Sequence, residues 1–480
     1  RLKRILDDSA LKSVHESARR LLGFVDYRLD PERRVRELAQ AVLRKSSGKT
    51  IRQDVIDYTR LLDQYEDVDR KVTAPASARQ DDLTDWLFTF QTRSDEALNH
   101  SLQRWTETSS SWWLIAALAR IDLKHPQATA LLEAAAAVPP GSPPFATAVY
   151  HWLRLTIEAG RPEAARDKLD RLLVPGTPLP VSASNQLLVM RTRLARTPEE
   201  FFKFAQRGPA SVTYNGDDQE LPIEETETDL DADLKPFVKG RVSFGEDAVK
   251  VMNEALPLTL IKNAAMDAAL PAHLRRLLAI AGWTRAVLLD DDETARTLAP
   301  VLLTLLPVMK KPLDAYLAAD NATERKDAAL YLILKFPGLR PHVDAGLARL
   351  TPLERADNYR DNWWCNYRGS VTGVRPEPAG REQPAFLSAE QQSAAAAERQ
   401  KLEALEIGPN DLCIRAVEWA KRSPADPRVP EALHRAVTAT RLGCRNKQTR
   451  RYSKLAFDTL HKQYPNSSWA KQTKYYFGEE

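Results

Sequence analysis

Apolar positions recur at three- and four-residue spacing along most of the chain, the period of an amphipathic helix, while the alternation expected of strands is nearly missing. Proline and glycine fall between these periodic segments, so they mark breaks. The stretch 2–69 divides into three helices. Their breaks lie at Asp30-Pro31, where aspartate caps and proline opens the next helix, and at Ser46-Ser47-Gly48. A linker around 73–80 follows, then helices near 81–91, 94–107, 110–123 and 126–137. Ser94 and His125-Pro126 mark starts, Ser109, Ser110 and Ser111 cap the third helix of this set, and Trp112 and Trp113 both fall in its core. One strand signal, 211–214 before Asn215-Gly216, predicts a small hairpin.

Further along, helices come in pairs. The segments 144–158 and 163–173 flank the turn Gly160-Arg161-Pro162, and Val174-Pro175-Gly176 closes the unit. Pairs follow at 271–289 with 292–306, at 313–319 with 323–335, and at 411–421 with 428–440. Each hairpin carries an apolar face that it cannot bury alone, so neighbours must stack on it. The expected fold class is therefore all-α, a degenerate helical-hairpin solenoid interrupted by two irregular inserts. The inserts are an acidic loop, 208–245, and an aromatic stretch, 358–387. The remaining divisions are 1–72, 81–207, 246–357 and 388–480, the last opening with a polar helix at 388–405 whose Ser388 and Gln391 form a capping box.

The unit at 144–173, part of a repeat of roughly 34 residues, resembles a tetratricopeptide repeat. Trp152, Gly160, Ala165, Leu169 and Leu172 stand where that family places large or small packing residues, although Leu153 replaces the usual small one. Near the end, Ala456-Phe457, Leu460, Tyr464-Pro465, Ser467, Ala470, Tyr475 and Gly478-Glu479 form a second string. It resembles the repeat of bacterial envelope proteins of the TolA-binding and outer-membrane assembly lipoprotein type. Pro465 stops one helix there, and Asn466 or Ser467 caps the next. This resemblance implies a repeat class and a cell-envelope location, and it transfers no partner.

Charge changes the picture locally. The net charge is only +4, yet the span from Gly208 to Lys235 holds nine acids before its first base, and 441–474 holds nine Lys or Arg against the single acid Asp458. Either stretch is a solvated face or an electrostatic contact. No run of about 18 apolar residues is present to make a transmembrane span. The chain begins at Arg1, as expected of a processed or trimmed product, and the sequence neither shows nor excludes a secretory signal or lipid-anchoring segment removed from it.

Candidate chemistry is sparse. The eight histidines are scattered, and no His/Cys spacing of a local metal site occurs, so no cofactor or metal is expected. Asp290-Asp291-Asp292-Glu293 reads as a helix cap more readily than a calcium loop. Cys413 and Cys444 sit at apposed ends of the 411–440 hairpin, which suggests a disulfide, stabilising by about 3 kcal/mol in the entropic description and implying an oxidising compartment. Cys365 lies among aromatics with no base beside it in sequence, the setting of a packing residue and not of a nucleophile.

Two surfaces are candidate partner sites. One is the aromatic insert, with Tyr359, Arg360, Trp363, Trp364, Tyr367 and Arg368; the other is the basic tail, with Arg445, Lys447, Arg450 and Arg451. The leading expectation is a non-enzymatic interaction or scaffold protein that binds a protein or peptide partner, periplasmic or secreted, with a cytoplasmic location as the alternative. A cell-wall glycan enzyme or accessory, like the helical toroid of soluble lytic transglycosylases, is a second reading, but no segment resembles the lysozyme-like domain that catalyses in those proteins. Nucleic-acid binding through the basic tail is a third, disfavoured by the balanced overall charge.

Overall fold

The structure, a computed structural model, describes residues 1–43, 51–64, 76–213, 220–222, 242–346 and 383–478. Among the described residues there are 23 α-helices and only short strands, so the fold is all-α. Ser211–Thr213 pairs antiparallel with Glu220–Pro222, the hairpin expected near Asn215-Gly216, and Gln206–Arg207 pairs with Ser243–Phe244. No described helix is long and apolar enough to cross a membrane.

The chain divides into two compact units, Arg1–Leu179 and Pro180–Glu480. The boundary falls inside the 81–207 segment that sequence periodicity treats as continuous, because the turn through Gly176 is followed by Pro178 and Pro180, which no helix can span.

In the first unit, four helices (Leu2–Asp7, His15–Leu29, Pro31–Leu43, Ile51–Asp63) and a 3₁₀ turn replace the three expected before residue 69. Asp30 caps as anticipated, its carboxylate accepting from the Arg33 amide. A small core of Val35, Leu38, Ala39, Tyr58 and Leu61 joins the last two of these helices, with Tyr27 of His15–Leu29 packed against it. Tyr58 links them onward, its buried hydroxyl 2.8 Å from that of Thr84 in the helix Asp82–Gln91, and burial pushes its pKa to about 12. In the helix Ser111–Leu118 the expectation for the tryptophan pair half fails. Trp113 is fully buried, with its indole donating to Asp82, whereas Trp112 is 46% exposed and meets Trp86 edge-on. Every residue from Trp113 to Leu118 is buried, so the helix is enclosed on all sides, and Trp112 is exposed because it lies in the first turn, where the chain enters from the surface. Nor do the three serines cap this helix by side-chain bonds.

The hairpin Phe145–Glu158 and Pro162–Leu172 forms where expected, with Gly160 at φ +70 providing the turn. Ala165, Leu169 and Leu153 are completely buried. Beside them sits His151, whose pKa burial lowers to about 4.

The second unit has one continuous core running from Ala195 to Tyr476. Its central helix, Ala272–Leu288, packs on Leu258–Met266 and on Asp292–Leu305. Trp283 is fully buried there, edge-on to Tyr316, and such side chains contribute roughly 1.5–3 kcal/mol each by burial. On the same helix, Arg285 is 1% exposed. It donates to the carbonyls of Pro341 and Met252 and to the Asn253 amide oxygen, tying the irregular 336–346 segment to the helices. Pro300 lies inside Asp292–Leu305 and not between elements. Ser388 and Gln391 make the full capping box of Ala389–Glu403. The last elements are Gly408–Arg422, Val429–Leu442, Thr449–Gln463 and Ser468–Gln472, with Ser467, not Asn466, as the cap of the final one.

Candidate functional site

The structure resolves the sequence candidates unequally. Tyr359, Arg360, Trp363, Trp364, Tyr367, Arg368 and Cys365 lie outside the described residues, as does most of the acidic stretch. Three of the four acids at 290–293 are spoken for by structure: Asp291 caps the Thr294 amide, Asp292 forms a fork with Arg325, and Asp290 pairs with Lys326. Among the described residues no three His, Cys, Asp or Glu side chains gather as a metal site.

The cysteine expectation is overturned. Cys413 is a free, fully buried thiol that donates to the carbonyl of Ala436 at 3.4 Å. The register is the reason. Cys413 faces Ala436, well inside the helix Val429–Leu442, whereas Cys444 lies beyond the end of that helix and its extended cap Gly443, so no bridge to Cys444 forms. The case for an oxidising compartment loses that support.

The basic tail, by contrast, is built into a defined surface. The helices Val429–Leu442 and Thr449–Gln463 pack against each other, and the chain after Ser468–Gln472 returns across them as a short strap, 473–478. Three hydrogen-bond chains hold the strap. Thr440 gives its hydroxyl proton to Val437, so Ser453, 2.7 Å away, donates to Thr440 and is left to accept the amide of Phe477 at 3.0 Å. Thr473 gives its own hydroxyl proton to Trp469, which leaves Nδ1 of His434 as the donor across their 2.7 Å contact. Nε2 of His461 donates to the Thr473 carbonyl. Burial, aided by the neighbouring Arg435, lowers the pKa of His434, as suits an imidazole holding a structural bond in neutral form.

The strap carries Tyr475, Tyr476 and Phe477, and each ring meets a cation. The guanidinium of Arg441 stacks 4.1 Å from the Tyr475 ring centre and donates to its hydroxyl. Arg445 lies 4.6 Å from Phe477 and also donates to the Arg441 carbonyl. Lys454 sits over Tyr476, whose ring is buried against Phe457. Gly478, at φ +85, passes against the aliphatic stem of Arg450, where a Cβ would crowd it. Lys447, Arg450 and Arg451 are exposed beside this row. Among the described residues Lys454–Asp458 is the ion pair of this region, and Arg441, Arg445, Lys447, Arg450 and Arg451 form none. Sequence reasoning found four of these five cations. It missed the ladder of Arg441, Arg445, Tyr475 and Phe477, although the four-residue spacing of the two arginines and the three consecutive aromatics were its visible signal.

No protein family, curated protein or solved structure matches this chain.

Proposed function

We propose that this chain is a non-enzymatic interaction or scaffold protein of the bacterial cell envelope, which binds a protein or peptide partner on the helical surface at its C-terminal end. One observation carries the reading. Five exposed cations, Arg441, Arg445, Lys447, Arg450 and Arg451, gather within 441–451 where one helix passes to the next, and three of them, Arg441, Arg445 and Arg451, pack on aromatic rings while none forms an ion pair among the described residues. A surface that only needs hydration has no use for fixed, unpaired guanidinium groups, whereas arginine held beside aromatics is a common composition of binding hot spots. The degenerate tetratricopeptide-like hairpins are in keeping with this role, since stacked helical pairs offer extended surfaces for other chains. The envelope location rests on the C-terminal string from Ala456 to Gly478 and its resemblance to envelope repeat proteins.

The test places a photo-crosslinking side chain at Lys447, and a control at an exposed position of the first unit such as Lys124, in cells that make the native protein. A discrete adduct from Lys447, lost when Arg441 and Arg445 are changed to glutamate, is the expected result. Failure of Lys447 to give an adduct, or equal adducts from both positions, overturns the reading. Cell fractionation and the native N-terminus check the compartment separately.

A further inference from the structure

The strap turns the basic end into a row of guanidinium groups backed by rings, and that arrangement specifies what they can bind. We infer that this row is a docking site for an acidic peptide segment, whose carboxylates are gripped by the outward edges of Arg441 and Arg445 with Lys447, Arg450 and Arg451 alongside. The inference rests on the interaction-protein reading above and names its partner chemistry.

A guanidinium has five N–H donors in a planar fork. Stacking on a ring uses its face and leaves its edge, the side that accepts a carboxylate in two parallel hydrogen bonds. Arg441 spends one Nη2 bond on Tyr475 and Arg445 one on the Arg441 carbonyl. The Nε and Nη1 donors of both have no protein acceptor among the described residues. Long side chains ordinarily lose rotamer freedom on binding, and here the rings have already fixed them, so less is lost when an anion docks. The charge is one-sided, with a single acid, Asp458, from 441 to 474, and Lys454 occupies it.

The same geometry argues against single-stranded nucleic acid. Proteins that bind it offer open ring faces on which bases stack. Here each ring carries a cation on one face, Tyr476 is buried and Phe477 half-buried, so Tyr475, at 44% exposure, is the one exposed ring of the strap. A single exposed ring gives no run of stacking platforms for successive bases. The fork geometry of Arg441 and Arg445 further suits a planar carboxylate on a flexible chain.

The experiment measures fluorescence anisotropy of a labelled oligoglutamate peptide with the full chain, against a duplex oligonucleotide of matched charge at the same salt. The expected result is saturable peptide binding that Arg441→Ala with Arg445→Ala weakens by about tenfold or more, in the range set by charged interface pairs. Lys462→Ala with Lys471→Ala removes the same charge elsewhere on this end and is expected to change affinity less than about twofold. Tyr475→Leu with Phe477→Leu leaves the charge untouched and is expected to weaken binding by roughly fivefold, since the rings position the guanidiniums. Arg441→Lys with Arg445→Lys keeps both charge and stem and is expected to lose most of the affinity, because lysine has no planar fork. Three results would overturn the inference: no peptide binding at low salt, equal losses from both alanine pairs, or tighter duplex binding with the same dependence on Arg441 and Arg445. Absence of peptide binding combined with a Lys447 adduct in cells would reject the acidic-peptide chemistry while leaving the interaction reading standing.

Discussion

Between Leu2 and Asp63, the buried cluster of five side chains spans only the helices Pro31–Leu43 and Ile51–Asp63, and Leu21, Phe24 and Leu29 on the helix before them remain 51%, 55% and 79% exposed. Between Gly408 and Gly478, a similar set of helices shares the long core of the second unit and is cross-linked by Ser453, Thr440, Thr473, His434 and His461. Both ends arise from clear amphipathic patterns, but the polar bonds of the first, such as His15 to the Asp8 carbonyl and Gln64 to Tyr27, are exposed, whereas those of the second include the buried pair Thr440 and Ser453. Apolar periodicity makes a helix. Whether its end opens easily depends on how many neighbours bury it and on who satisfies its terminal groups.

The largest effect belongs to the better-held end. Trp419→Ala empties a fully buried site against the Val429–Leu442 helix and is expected to cost about 3–5 kcal/mol. Urea unfolding followed by circular dichroism checks it, and an unchanged midpoint would mean the core is not continuous there. Acid tests the first unit. The neutral His151 has a folded pKa of about 4 against 6.5 for the free side chain, so below pH 6.5 the unfolded chain takes up the proton first. Stability contributed by His151 is therefore complete above pH 6.5 and drains away down to about pH 4, a loss on the order of 3 kcal/mol. Comparing wild type with His151→Phe at pH 7.5 and 4.5 should show the phenylalanine variant losing less.

Leu38→Ala, in the small N-terminal core, is expected to cost about 2–3 kcal/mol, with the effect confined nearby. Amide exchange should accelerate within 31–63 and leave 408–463 as it was. Global acceleration would join the two ends into one cooperative unit. The smallest change is Ser453→Ala, which removes the shared partner of Thr440 and Phe477 for about 1–2 kcal/mol. Exchange should then rise in the strap before any change in the melting temperature.

The helices were legible in the sequence because their signals are local. The capping box at Ser388 and Gln391, the turn at Gly160 and the stop at Tyr464-Pro465 each act within a few residues. Trp112 was misplaced because a helix buried on all sides from Trp113 onward shows no periodicity, so the sequence does not mark where in its first turn burial begins. The disulfide failed on register: Cys413 meets Ala436 in the body of the second helix, and Cys444 lies past that helix's end at Leu442. The candidate site was half legible. Clustered cations are visible in any charge count, but the strap that orders them depends on contacts between residues some thirty positions apart, such as Arg441 with Tyr475.

Cys413 gives the C-terminal hairpin a built-in clock. Burial pushes its thiol far up from the ordinary cysteine range and shields it completely. An alkylating reagent can therefore reach it only when Gly408–Arg422 parts from Val429–Leu442. The rate at which Cys413 is consumed reports how often that end of the molecule breathes, and any ligand that clamps the neighbouring strap should slow it without touching the sulfur.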